Sequence, residues 1–265
     1  MANEFLTIII LSRSRVENLA KTIDNLNNHS YDYRHYKIIV GIDYDDPHKK
    51  EYYTIKKNFS NISFHVLNNS YMSKMTNELI KKTKSKYILL YNDDCKIFTK
   101  NWDIILKEKL SENPNRLFFM GREYVNDIKN YNFPILKKKY FTKYSILPDN
   151  YFSEYIDTHI YDIFLKLNLK PIHIPQIFFY HLKDYSIKSS LQLKGKVDFI
   201  TYFFHAINRH EVAKSIKQQL AKKKYYCDYQ KLKSLFYLFN FNKLFLLNLA
   251  FNKELCFRVL KHLIR

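Results

Sequence analysis

The residues best suited to chemistry are Asn92-Asp93-Asp94, which follow directly on the apolar run Tyr87-Ile88-Leu89-Leu90-Tyr91. Such a run reads as a buried strand. Two adjacent carboxylates at its end are costly unless positive charge meets them. A hard divalent cation meets that need, because it takes oxygen ligands and bridges phosphates. Asp94 is therefore the expected metal ligand, with Asn92 or Asp93 near a ribose hydroxyl. A solvated Asn-Asp turn is the plainer alternative.

Four further groups carry chemistry. In Asp43-Tyr44-Asp45-Asp46, Asp43 suits a hydrogen bond from a base N–H, and Tyr44 suits stacking on that base. The alternative is an acidic loop that caps the next helix. Arg13 and Arg15 suit a diphosphate, whose oxygens match the guanidinium fork; taken singly, each also reads as a solvated surface charge. Asp157, with Glu154 just before it in YFSEYIDTHIYD, suits a general base that activates a hydroxyl, or else an N-cap. His181, after the run IFFY, suits an imidazole ligand beside Asp94, or a purely structural role.

These groups need a frame. The β-branched run Phe5 to Leu11 reads as a central parallel strand, and Val16, Leu19, Ile23 and Leu26 are spaced as one helical face. Further strands are expected at Tyr36 to Ile42, Ile62 to Leu67 and Tyr87 to Tyr91, with helices over Lys49 to Phe59 and Ser73 to Thr83. This β-α-β-α-β-α-β order predicts a doubly wound, mainly parallel α/β sheet flanked by helices, which binds ligands at the carboxyl ends of its strands. Arg13 and Arg15, Asp43 to Asp46, and Asn92 to Asp94 all fall there. Beyond them the pattern is mixed. A helix is expected at Trp102 to Leu110, a strand at Arg116 to Met120, another segment from Phe133 and a helix over Ile156 to Leu167. Pro171 to Tyr180 reads as a strand pair or an extended edge, broken by Pro175.

Composition narrows the function classes. The 265 residues suffice for one large domain, or a medium one with an appendage. Neither G-x-G-x-x-G nor G-x-x-x-x-G-K-[ST] occurs, which disfavours an ordinary dinucleotide fold or a P-loop enzyme. The cysteines Cys95, Cys227 and Cys256 lack C-x-x-C spacing, which argues against a disulfide framework or zinc site and fits a reducing, cytoplasmic compartment. The N-terminal run has no basic n-region and reads as a strand, not a signal peptide. No clean transmembrane helix is visible; Leu235 to Phe251 is interrupted by Asn240, Asn242, Lys243 and Asn248. The formal charge of +19 suits an acidic partner or a phosphorylated substrate, or reflects solubility and a Lys-rich coding bias.

Taken together, the motifs resemble those of the GT-A nucleotide-sugar glycosyltransferases, in particular the family-2-like group. LTIIILSRSRVENLAKTIDNL resembles the first strand and helix with its Arg-bearing loop, and IIVGIDYDDP resembles the second strand with a base-binding Asp. SKMTNELIKKTKSKYILLYNDDC resembles the helix and strand that lead into the DxD motif, with Asn92 in place of its first carboxylate. FPILKKKYF and YFSEYIDTHIYDIFLKL resemble the acceptor-side segment, and IHIPQIFFYH the late strand ending in a metal-side His. The resemblance implies a divalent metal, Mn²⁺ or Mg²⁺, on Asp94 and His181. It implies a nucleotide-diphospho-sugar donor held by Arg13, Arg15, Asp43, Tyr44, Lys74, Asn92 and Asp93. The sugar would pass to a glycan, lipid-linked or protein hydroxyl, with inversion, and Asp157 or Glu154 would act as base.

The GT-A domain is expected over residues 1–188, followed by a basic, aromatic-rich helical region over 189–265. Residues 190–265 carry roughly 15 basic and 4 acidic side chains, about +11 of the total. That region reads as a surface for anionic lipid, or as a helical cap or homodimer interface. A nucleic-acid-binding protein explains the charge but not the acidic strand ends, which repel phosphate, so nucleic acid is disfavoured as a partner. The same motifs also admit a nucleotidyltransferase or a non-catalytic GT-A-like module.

Overall fold

The computed structural model describes residues 5–68, 70–123, 132–181 and 197–220. Eight strands form one sheet: β1 (Leu6–Ser12), β2 (Tyr36–Asp43), β3 (Ile62–Leu67), β4 (Tyr87–Asn92), β5 (Cys95–Ile97), β6 (Phe118–Glu123), β7 (Pro134–Lys137) and β8 (Ile172–His181). Their order is β3-β2-β1-β4-β7-β6-β8-β5. The first four pair in parallel, as the sequence pattern predicts. The other half is mixed, with antiparallel β4–β7, β6–β7 and β5–β8 pairs and a parallel β6–β8 pair.

The helices are α1 (Val16–His29), α2 (Lys49–Lys56), α3 (Met72–Lys82), α4 (Trp102–Glu112), α5 (Lys138–Tyr144), α6 (Ile156–Lys166), α7 (residues 197–204) and α8 (Ala206–Leu220). Strand alternation divides the apolar side chains between two clusters. Ile8, Ile10, Ile38, Val40 and Leu89 meet Leu19, Ile23 and Leu26 of α1 and Trp102 and Leu106 of α4. Ile9, Ile39 and Ile88 meet Met75 and Leu79 of α3, Tyr140 of α5, Ile160 and Phe164 of α6 and Ile216 of α8. Because both faces of the central strands are covered, they are continuous apolar runs. Gly41 lies where β2 meets α3: a Cβ there would come within 2.6 Å of Leu11 Cδ2 and 2.9 Å of Leu79 Cδ1.

Three elements depart from the sequence expectation. The run after Asp94 forms the short strand β5, and Lys138–Tyr144 forms α5, neither of which was expected. Pro175 does not break β8. The β6–β8 register shifts between Met120, opposite Ile174, and Arg122, opposite Phe178, so Pro175 falls in an irregular stretch of the ladder where its missing N–H costs no bond. At its C-terminal end β8 is not an edge, since β5 pairs there with Phe179, Tyr180 and His181.

Among the described residues no helix is long and apolar enough to cross a membrane. Residues 221–265, on which most of the lipid-surface and dimer readings rest, lie outside the described residues.

Candidate active site

The carboxyl ends of β1, β2 and β4 lie side by side, because Leu11 is in register with both Gly41 and Asn92. Asn92 ends β4, and Asp93-Asp94 turn the chain into β5. This turn is not solvated: Asp93 is 5% and Asp94 7% exposed. Its charge is met locally. Asp93 accepts hydrogen bonds from Ser12 Oγ (2.7 Å) and Arg15 Nη1 (3.0 Å), and the same guanidinium lies 3.2 Å from Asp94 Oδ2. Burial nevertheless raises the Asp93 carboxyl, assisted by the like charge of Asp94 and opposed by Ser12 and Arg15. For Asp94 burial acts in the same direction, but the hydrogen bond and charge of His181, together with Arg15, outweigh it, and its pKa falls below the usual carboxylate value.

His181 reaches this turn through strand pairing. Cys95, the first residue of β5, lies opposite His181, the last of β8. The pairing sets His181 Nε2 3.1 Å from Asp94 Oδ1 and 3.3 Å from Asn92 Nδ2. Ligands about 2.1 Å from one cation, at right angles to each other, lie about 3 Å apart, so Asp94 and His181 are spaced to share a divalent ion. Their mixed carboxylate and imidazole chemistry suits a divalent cation. The Cys95 sulfur completes an Asp94–Cys95–His181 group whose ligand atoms lie within 4.8 Å of one another. Burial, with the charges of Asp94 and Asp93, pushes the Cys95 thiol well up. It stays protonated and is a poor ligand for a hard cation.

Asp43 and the two arginines line the adjacent space. Arg13 pairs with Asp43 (2.8 Å) and Asp45 (3.0 Å), so in this structure both Arg13 and Arg15 are engaged by carboxylates. Asp46 takes the loop-capping role open to this acidic stretch. It is buried and accepts from the backbone N–H of Ser14 (2.7 Å) and His48 (2.8 Å). Tyr44 is exposed, with Lys49 Nζ 4.8 Å from its ring centre, and Lys74 is exposed on α3; neither lines the cavities that open here.

Two cavities lie at this end of the sheet. One, of about 630 Å³, is lined by Ser12, Arg13, Arg15, Asp43, Asp93 and Asp94. The other, of about 590 Å³, is lined by Tyr91, Glu154, Tyr155, Asp157, Thr158 and His181. They share Leu11, Met72, Asn92 and Ser153. Asp157 stands in the first turn of α6 and accepts from its neighbour's backbone, Thr158 N, at 2.7 Å. Burial raises its pKa, and the Thr158 hydrogen bonds only partly offset this. Glu154 is also raised, by burial and by the charges of Asp198 and Asp157.

Sequence reasoning missed Ser12, Ser153 and Asp198. Ser12 was legible as a polar residue closing an apolar strand; the other two carry no local signal.

A parallel half-sheet with an acidic turn at the end of β4, continued by a mixed half that returns a histidine to that turn, is a GT-A-type α/β fold. Residues 7–183 match the sequence profile of glycosyl transferase family 2, and the chain belongs to that family. Solved structures of similar fold include TarS 1-349 from S. aureus in complex with UDP-GlcNAc, at 13% identity and a TM-score of 0.56 over 69% of this chain and 60% of that one. They also include the mannosyltransferase PcManGT from Pyrobaculum calidifontis in complex with GDP-Man and Mn²⁺, at 8% identity and a TM-score of 0.64 over 91% of this chain and 80% of that one. At such identities the likeness speaks for the fold alone. The chain spans 59% of the length of a further TarS 1-349 structure. No curated protein matches it by sequence.

Proposed function

We propose that this chain transfers a sugar from a nucleotide-diphosphate donor to a hydroxyl of a glycan, lipid-linked or protein acceptor. The observation that carries this reading is the pair of adjoining cavities, one bordered by Arg13, Arg15, Asp43 and Asp94, the other by Asp157. Donor and acceptor then meet at their shared wall, beside Asn92 and Ser153. Membership of glycosyl transferase family 2 supports the reaction class, and similar folds hold UDP-GlcNAc and GDP-Man.

Each residue has a role that follows from its chemistry. Asp43 accepts from the nucleotide base, and Asn92 and Asp93 stand near the ribose. Arg13 and Arg15 offer charge to the diphosphate. A divalent cation, Mn²⁺ or Mg²⁺, held by Asp94 and His181, supplies Lewis-acid stabilisation of the leaving group when bound. Asp157 takes the proton from the acceptor O–H as that oxygen bonds to the anomeric carbon. The bond from this carbon to the diphosphate oxygen breaks, the nucleoside diphosphate leaves with the electron pair, and the anomeric configuration inverts. The raised pKa of Asp157 makes it a stronger base than an ordinary carboxylate.

The test is a thermal-shift titration with UDP, GDP, CDP and dTDP, each with and without Mn²⁺, on the wild type and Asp94→Ala. One nucleotide is expected to raise the melting temperature in a metal-dependent way, and the rise should vanish in Asp94→Ala. The absence of any shift in the wild type would overturn the reading.

A further inference from the structure

Asp198 is fully buried in α7, beyond the residues matched to the family profile. A buried carboxylate is costly unless its oxygens are satisfied. Here they accept from three successive backbone N–H groups, those of Phe152, Ser153 and Glu154, each at 2.7 Å. Such charge-assisted bonds are short and strong, and these three orient one stretch of loop.

That stretch is the wall between the two cavities. Phe152 borders the first, Ser153 borders both, and Glu154 borders the second. The Ser153 hydroxyl oxygen is buried and has no hydrogen-bond partner in the structure, which suits a contact supplied by substrate. Directly after the gripped amides, Tyr155 adopts φ 62° and opens α6, with Asp157 in its first turn. The Tyr155 ring packs against Phe199 and Tyr202 of α7, with ring centres 5.9 and 5.4 Å apart. One helix therefore holds both the loop backbone and the residue that turns it into α6.

We propose that Asp198 is a positioning residue for the transfer reaction, fixing the 152–154 backbone so that Ser153 and Asp157 face the point where the cavities meet. This rests on the glycosyl-transfer reading. It predicts that the chemical step, more than donor affinity, depends on Asp198, because a misplacement of about 1 Å costs up to about 100-fold in rate.

The experiment compares wild type, Asp198→Asn and Asp198→Glu as full chains. Turnover of GDP-mannose and UDP-GlcNAc with Mn²⁺ is measured as released nucleoside diphosphate, normalised to nucleotide-binding sites. Amide hydrogen exchange is read over residues 152–154. For Asp198→Asn, kcat per site is expected to fall about 10- to 100-fold with donor KM within about threefold, with faster exchange of the three amides. Asp198→Glu, which keeps the charge, should recover part of kcat and of the protection, and it carries the comparison if the Asn variant does not fold. Wild-type kcat per site in the variants would overturn the proposal, even with a lowered melting temperature. So would unchanged exchange at 152–154. If the wild type neither turns over a donor nor binds a nucleotide, the glycosyl-transfer reading fails instead, while the exchange measurement still decides whether Asp198 grips the loop.

Discussion

His159, two residues after Asp157 on α6, should make the stability of the acceptor-side wall depend on pH. The imidazole is fully buried, and its Nδ1 shares a hydrogen bond with Tyr151 OH at 2.8 Å. Its Nε2 has no partner in the structure. Burial, then the charge of Arg209 and the nearby His205, holds its pKa down at about 2, against 6.5 for the free group. Between these values the unfolded chain binds a proton that the native chain does not, so stability is lost as pH falls below about 6.5 and is flat above it. The slope is about 1.4 kcal/mol per pH unit, which gives about 2 kcal/mol between about pH 7 and about pH 5. His159→Gln keeps a hydrogen-bonding partner for Tyr151 and removes the titration. Urea unfolding followed by circular dichroism across that range should show the wild type losing about 2 kcal/mol more than the variant. Parallel curves for the two proteins would refute the reasoning, because other groups titrate equally in both.

Two further expectations follow from the site and the core. Asp157→Asn should lower donor turnover by about 10²- to 10⁴-fold with nucleotide binding intact, as loss of a general base does; in the wild type the acidic limb of the kcat profile should lie above the usual Asp range, because burial raises this carboxyl. Gly41→Ala should destabilise the fold by about 1–3 kcal/mol, measured by urea unfolding, since its methyl would press on Leu11 and Leu79 in a close-packed interior.

The parallel half of the fold was legible because its strands are short β-branched runs separated by amphipathic helices, and both signals are local. β1 to β4 and α1 lie within a few residues of their expected places. α2 stops at Lys56 instead of continuing to Phe59, as Lys57, Asn58 and Phe59 leave the helix through turn bonds to Thr54, Ile55 and Lys56. The mixed half was harder. β5 has three residues, too few for alternation to register, and exists because β8 offers it a partner. Pro175 argued locally for a break, and a shift in the β6–β8 register removed the conflict.

The sequence by itself determined which residues end the strands. Ser12, Asp43 and Asn92 close three apolar runs, and parallel strands in register bring those ends to one edge. It therefore placed the carboxylates Asp43, Asp93 and Asp94 at that edge, and the family profile spans the same stretch. Tertiary structure alone decided the partners. Opposite-strand pairing of Cys95 with His181 brings the imidazole to Asp94. The approach of α1 to the β4–β5 turn sets Arg15 between Asp93 and Asp94, and the return of α7 seats Asp198 on the 152–154 backbone. These contacts join segments far apart in the chain. Packing and register fix them, and neither leaves a periodic trace in the residues that take part.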